Sequence, residues 1–284
     1  CTALVTPFLG EQINYPMLEQ LLKRQMDAGI RAVVIAGTTG ESATLSDTEK
    51  LELIRRAKEF TGDKCLIIAG TGSNDTAHAA ALSLAAQEAG ADALLVVSPY
   101  YNKATEDGLY AHYLTIAHQV RIPVIIYNVP SRTGLDIPVS VYKRLSRIPN
   151  IAGVKEASGD MVKIAKIIRE CGNDLYVWCG NDDLTVAAMA LGAKGVISVA
   201  SNVVPEEMLL MCGAALDGDF DTAADLQGNL LPLNDLLFCE VNPIPVKAAM
   251  KLLGYDCGEC RLPLTPIRKS NLEKLIQYFN SIND

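Results

Sequence analysis

With 284 residues, nearly half of them hydrophobic, the chain can build one large core, and its length leaves either one α/β barrel or two smaller domains open. No run approaches the roughly 18 apolar residues that a bilayer span needs, and a formal charge of -8 without any Lys/Arg cluster argues against nucleic acid or an anionic membrane as the main partner. A small anionic substrate stays open, because a single site can be locally basic.

The chain opens on Cys1-Thr-Ala-Leu-Val-Thr6, with neither an initiator Met nor the charged-then-apolar layout of a signal peptide. A few residues are therefore expected ahead of Cys1, and the protein is expected to be cytoplasmic. Short β-branched runs then alternate with amphipathic stretches of helical length. The spacing predicts strands over 3–6, 32–36, 65–69, 93–97, 124–127, 151–155, 176–179 and 195–199, with helices between them such as 17–27, 48–60 and 76–89. Gly29 and Gly90 stand where a helix-ending glycine belongs, and Ser46 with Glu49 forms a capping-box pattern.

Eight alternations with strands apolar enough to be covered on both faces predict an α/β fold, a closed (β/α)8 TIM barrel. The alternative is an open doubly wound sheet, which should carry Gly-x-Gly-x-x-Gly after its first strand; here that place holds Pro7-Phe-Leu-Gly-Glu11. Gly70-Thr-Gly-Ser-Asn74 lacks the third glycine and fits a tight βα turn better than a phosphate cradle. From about residue 204 the pattern is helical only, over 205–216, 220–238, 243–253 and 272–282, with Pro232 expected to kink the second. The expected division is a catalytic barrel, 1–203, and a C-terminal helical appendix, 204–284, that completes and extends it. Eight cysteines scattered through apolar segments fit reduced thiols. Cys257-Gly-Glu-Cys260 lacks a second ligand pair for zinc, so its thiols are taken as structural or incidental.

In such a barrel the site forms where strands run out into βα loops, and the unusual residues collect there. Alternation places Ile151, Gly153 and Lys155 on one face of the sixth strand and Ala152 and Val154 on the other, with Gly153 leaving room beside the lysine. A lysine stem among apolar neighbours disfavours the ammonium form, and a neutral amine can attack a carbonyl to form a Schiff base. The competing reading is a strand-end lysine that reaches water. Tyr127, in phase with Ile125, should face the interior, where a phenol could relay the protons that imine formation needs. Thr38 and Thr39, between glycines, fit either a carboxylate cradle or an ordinary turn. Arg132, between Pro130 and Gly134, fits either a bidentate grip on a carboxylate or a solvated loop arginine. His78, His112 and His118 form no ligand pair, the last two covering a helix surface, and Gly-x-Ser-x-Gly does not occur.

Gly37-Thr-Thr-Gly-Glu41, Tyr100-Tyr-Asn102, Tyr127-Asn-Val-Pro-Ser-Arg-Thr-Gly134, Gly153-Val-Lys-Glu-Ala157, Gly195-Val-Ile-Ser198, Asn242-Pro-Ile-Pro-Val-Lys247 and Arg261-Leu-Pro-Leu264 together resemble the dihydrodipicolinate synthase family, nearly end to end. That family belongs to the pyruvate-dependent class I aldolases, and the stretch beginning at Tyr127 favours it over the N-acetylneuraminate lyases. The resemblance implies a lyase that condenses pyruvate with L-aspartate 4-semialdehyde in diaminopimelate and lysine synthesis, with no metal or organic cofactor. Lys155 would form the pyruvate imine, and Tyr127 would relay protons through Thr38 and Tyr101, the latter contributed across a tight dimer interface. The N–H groups around Thr38 and Thr39 would bind pyruvate's carboxylate, Arg132 the semialdehyde's, and the Ile197 carbonyl would lie near the site. A homotetramer is implied, a dimer of tight dimers with Met161, Val162 and Leu191 at the weaker contact.

The family's lysine-inhibition site matches Ser42, Ala43, Asp47, Lys50, Asn74, His78 and Tyr100, where the positions of Asp47 and Lys50 are typically histidine and that of His78 an acid. Without that acid, and with Lys50 added, a cationic ligand meets like charge, so weak or absent inhibition by lysine is expected. Two other readings keep the barrel: a sialate or keto-deoxy-sugar lyase with the same lysine and tyrosine, and a keto-acid-binding barrel without turnover.

Overall fold

A computed structural model describes residues 1–282 of the chain. β1 (Thr2–Ala3) leads into an antiparallel hairpin, β2 (Phe8–Leu9) and β3 (Gln12–Ile13), whose two-residue arms are too short to show a periodicity. β4 (Ala32–Ile35), β5 (Leu66–Gly70), β6 (Ala93–Val97), β7 (Val124–Asn128), β8 (Ile151–Glu156) and β9 (Tyr176–Cys179) follow. With β1 they make one parallel sheet in the order β1-β4-β5-β6-β7-β8-β9. Sequence-neighbouring strands are parallel because a helix carries the chain back each time. These helices are α1 (Tyr15–Asp27), α2 (Asp47–Thr61), α3 (Thr76–Glu88), α4 (Glu106–Gln119), α5 (Pro130–Thr133), α6 (Val139–Leu145), α7 (Met161–Cys171) and α8 (Thr185–Ala190). Four more follow: α9 (Pro205–Leu216), α10 (Phe220–Leu237), which runs unbroken through Pro232, α11 (Ile244–Leu252) and α12 (Lys269–Ser281).

Local chemistry sets the ends. Ser46 and Glu49 close the expected capping box on α2, and Gly29 and Gly90 take the left-handed backbone just past α1 and α3, with φ of 91° and 101°. The first strand stops early because the Val5 N–H turns to the Asn202 side chain at 3.2 Å. The predicted strand 195–199 is present as two parallel bridges, Cys179 to Val196 and Thr2 to Ser198, rather than as a ladder. The Asp182 carboxylate accepts from the Val199 and Ala200 N–H groups, both at 2.9 Å, and draws the chain into a 3-10 turn over Ala200–Asn202. Gly70 and Gly72 make the tight βα turn: a Cβ on Gly70 would lie 2.2 Å from the Ala36 carbonyl oxygen, and one on Gly72 2.4 Å from the Val97 nitrogen.

Alternation sorts the strands into two cores. Val33, Ile35, Ile67, Leu94, Val96, Val124, Ile126 and Val154 join the helix-facing core, while Ala3, Val34, Ile68, Leu95, Ile125, Tyr127 and Ile197 form a smaller interior cluster. β8 corrects one expectation. Val124 pairs with Ile151 but Ile125 pairs with Gly153, so Ala152 is an extra residue that shifts the register. Ile151 therefore shares the helix-facing core with Val154 and not the face of Lys155. Gly153 also serves a different neighbour: a Cβ there would lie 2.4 Å from the Trp178 ring and 2.5 Å from the Tyr176 carbonyl oxygen, so its bareness admits β9.

His112 is a second correction. It is buried rather than on a helix surface, with Nδ1 2.9 Å from the Thr76 hydroxyl, and burial holds its imidazole down to about 4; His118 is exposed as expected. The eight cysteines are free thiols, and burial pushes Cys257 and Cys260 up to about 12. Among the described residues no helix is long and apolar enough to cross a membrane.

Candidate active site

Where the strands run out, Thr38, Thr39, Tyr127, Arg132, Lys155 and Asn242 line a cavity of about 200 Å³. Strand register builds its floor. Tyr127 on β7 stands opposite Lys155 on β8, and the lysine Nζ lies 4.6 Å from the centre of the tyrosine ring. Both side chains are nearly out of solvent, Lys155 at 5% exposure and Tyr127 at 7%. Among the described residues no carboxylate pairs with the amine, whose one close partner is that ring.

The neighbouring Glu156 anchors the strand end. Buried at 1% exposure, it accepts from Asn128 Nδ2 at 2.9 and 3.1 Å, from the Ser158 N–H at 2.9 Å and from the Tyr142 hydroxyl at 3.2 Å. Asn128 donates in turn to Asp136 at 2.8 Å, and Lys163 pairs with Asp136. Desolvation, aided by the Glu156 charge, pushes the Tyr142 hydroxyl well up. A fully bonded buried network of this kind fixes the backbone that presents the lysine. Sequence reading missed it, although a glutamate beside a lysine on a strand covered on both faces was a signal, since one of the two must be buried on the far side.

Thr38 and Thr39 form the rim after β4. The turn closes through Glu41 N–H to Thr38 O and Ser42 N–H to Gly37 O, both 3.1 Å, while the Thr38 and Thr39 amides bond to no protein group among the described residues. Such free N–H groups can hold a carboxylate. Glu41, with φ of 58°, is clamped from the far end of the chain: its carboxylate accepts from Lys247 Nζ at 2.8 Å and from the Arg261 N–H at 2.8 Å. The Phe8 ring lies 4.4 Å from Lys247 Nζ and 4.5 Å from the Arg261 guanidinium carbon. Arg261 also pairs with Glu49 at 2.6 Å, and this hydrogen bond holds the Glu49 carboxyl down to about 2.

Arg132 lies on the single turn α5 rather than in an irregular loop, with Gly134 ending the turn at φ 66°. Its guanidinium donates to the Asn242 carbonyl at 3.2 Å, and Asn242 Nδ2 donates to the Thr39 hydroxyl at 3.0 Å. Two expected residues are not among those lining this cavity. Ile197 is buried in the interior cluster beside Tyr127, and Tyr101, at φ 70°, is 92% exposed.

A second cavity of about 730 Å³ shares Thr38, Arg132 and Asn242 with the first and is lined by Ser42, Ala43, Asp47, Lys50, His78 and Tyr100. Asn74 does not line it, but holds the Tyr100 carbonyl through a 3.1 Å hydrogen bond. The Asp47 carboxylate accepts from His78 Nε2 at 2.7 Å and lies 3.5 Å from Lys50 Nζ; the His78 hydrogen bond does most to hold its carboxyl below the usual range. A buried amine, a phenol against it, free N–H donors and a guanidinium together suit covalent capture of a keto acid and binding of a second acidic substrate.

The Dihydrodipicolinate synthetase family model matches residues 1–281. The chain is 48% identical over 274 residues to the 4-hydroxy-tetrahydrodipicolinate synthase of Thermoanaerobacter sp. (strain X514), covering 96% of this chain and 92% of that one. The crystal structure of dihydrodipicolinate synthase from Aquifex aeolicus superposes with a TM-score of 0.98 at 44% identity, covering 99% of this chain and 97% of that one. The chloride-inhibited synthase from Acinetobacter baumannii, complexed with pyruvate, gives 0.97 at 40% identity and covers 99% and 97%.

Proposed function

The chain belongs to the dihydrodipicolinate synthetase family and is a lyase of the 4-hydroxy-tetrahydrodipicolinate synthase kind, and from that premise we propose that it joins pyruvate to L-aspartate 4-semialdehyde through a Schiff base on Lys155, in diaminopimelate and lysine synthesis. The observation that carries the mechanism is the amine of Lys155, with no carboxylate partner among the described residues, against the Tyr127 ring, inside a cavity lined by Thr38, Thr39 and Arg132. The amine attacks pyruvate C2, water leaves, and the imine acidifies the methyl group as a positive nitrogen should. Loss of a methyl proton gives the enamine, which attacks the aldehyde carbon; the semialdehyde's own amine then displaces Lys155 and closes the ring.

Each step moves a proton, and Tyr127 is the acid and base at hand, with Thr38 and Tyr101 completing the relay. The exposure of Tyr101 supports its passing to the site of a second copy. The Thr38 and Thr39 amides would take pyruvate's carboxylate and Arg132 the semialdehyde's, with the Ile197 carbonyl nearby. The same proposal includes a closed barrel over 1–203, for which the two bridges of Val196 and Ser198 speak, and a helical appendix over 204–284. It includes a homotetramer, for which exposed Val162 and Leu191 speak, and a cytoplasmic location, for which the free thiols speak. Borohydride reduction with pyruvate, followed by peptide mass mapping, should place a reduced adduct on Lys155; absence of any adduct on folded protein would remove the mechanism.

A further inference from the structure

Asn242 touches both halves of the cavity. Buried at 5% exposure, it donates from Nδ2 to the Thr39 hydroxyl at 3.0 Å, and its main-chain carbonyl accepts from Arg132 at 3.2 Å. Its Oδ1 is buried and finds no donor among the described residues. The Thr39 hydroxyl is the one partner of this side-chain amide among the described residues, with Nδ2 as the donor. An amide nitrogen can only donate, so the Thr39 oxygen receives that bond and its own proton is directed elsewhere. Thr39 lines the cavity, and its hydroxyl has no other protein partner among the described residues.

We propose that Asn242 is a positioning residue that fixes the Thr39 hydroxyl as a donor to the carboxylate of the keto acid. The inference rests on the Schiff-base reading above and assigns a polarity within that site. Asn242→Asp reverses the polarity at constant shape: a carboxylate only accepts, so the Thr39 proton turns to it and is lost to the substrate. A hydrogen bond to a charged group contributes about 1.5–3 kcal/mol, which corresponds to roughly a tenfold to hundredfold change in affinity. Arg132 is held through the main chain of Asn242, and the substitution leaves that contact in place.

The test is borohydride trapping on Lys155 across a pyruvate titration, with the KM of each substrate measured alongside. Asn242→Asp should raise the half-saturating pyruvate by about tenfold to a hundredfold while the semialdehyde KM stays near that of the wild type. Thr39→Val should show a similar pyruvate loss, and the double variant should lose no more than either alone. If Asn242→Asp does not fold, Asn242→Ala closes the same cycle with Thr39→Val. Additive losses, or equal rises in both KM values, overturn the proposal. No imine on the wild type overturns the Schiff-base reading and this inference with it, whereas a wild-type imine whose half-saturation the variant leaves unchanged overturns this inference alone.

Discussion

Lys50 and His78 decide what the larger cavity can hold. The site keeps an acid in Asp47, but His78 and Lys50 already occupy that carboxylate. A ligand ammonium would have to displace them and would meet the Lys50 charge, so lysine at sub-millimolar concentration should leave turnover unchanged; inhibition in that range would refute this. His112 sets a different expectation. Desolvation lowers its imidazole from 6.5 to about 4, against a weaker pull from Asp75. Between those values the unfolded chain takes up a proton that the folded chain refuses. Stability is therefore complete above about pH 6.5 and falls by roughly 1.4 kcal/mol per unit as pH drops toward 4. His112→Gln should flatten that slope in denaturant melts between pH 6.5 and 4.5, and an unchanged slope would show that other groups cause it. The place of Lys155 and Tyr127 at the cavity was legible from strand alternation, and that of Thr38 from the glycines that flank its turn after β4. Asn242 was not, because its partners Thr39 and Arg132 are 203 and 110 residues away in sequence.

At the scale of the element, β7, β8 and β9 carry the site, and one glycine sets their spacing. Gly153→Ala would drive a methyl into the Trp178 ring and the Tyr176 carbonyl. Because one of these is main chain, β9 must move, at a cost of about 1–3 kcal/mol. The urea midpoint should drop, and imine formation should weaken as Lys155 shifts; a variant unchanged in both would mean that β9 yields freely. Six of the seven sheet strands were legible within a residue at each end, since buried parallel strands are nearly continuous apolar runs. The extra residue at Ala152 was not, since a register shift depends on the partner strand and not on the residues that carry it. Likewise the single turn α5 is too short for any periodicity.

At the scale of the molecule, Glu41 and Lys247 join regions that no local pattern connects. Both are almost fully buried, and removing one partner strands the other. Lys247→Met should cost about 3–5 kcal/mol in chemical denaturation, and Glu41→Gln added to it should recover part of that loss. A Lys247→Met protein as stable as the wild type would mean that Arg261 alone can hold Glu41. The parallel α/β sheet was legible from the alternation of strands and helices; the dependence of the cavity rim on the last quarter of the chain was not, because an ion pair 206 residues apart leaves no trace in spacing.

That clamp also orders events on the ribosome. Lys155 and Tyr127 leave the ribosome with their strands, ahead of Lys247 and Arg261. The turn at Thr38 and Thr39, synthesised long before, keeps Glu41 without Lys247 and Arg261 until more than two hundred further residues have left the tunnel. The turn at Thr38 and Thr39 is thus among the first segments translated and among the last completed; on the proposed mechanism, a nascent chain would carry Lys155 well before it could hold a keto acid.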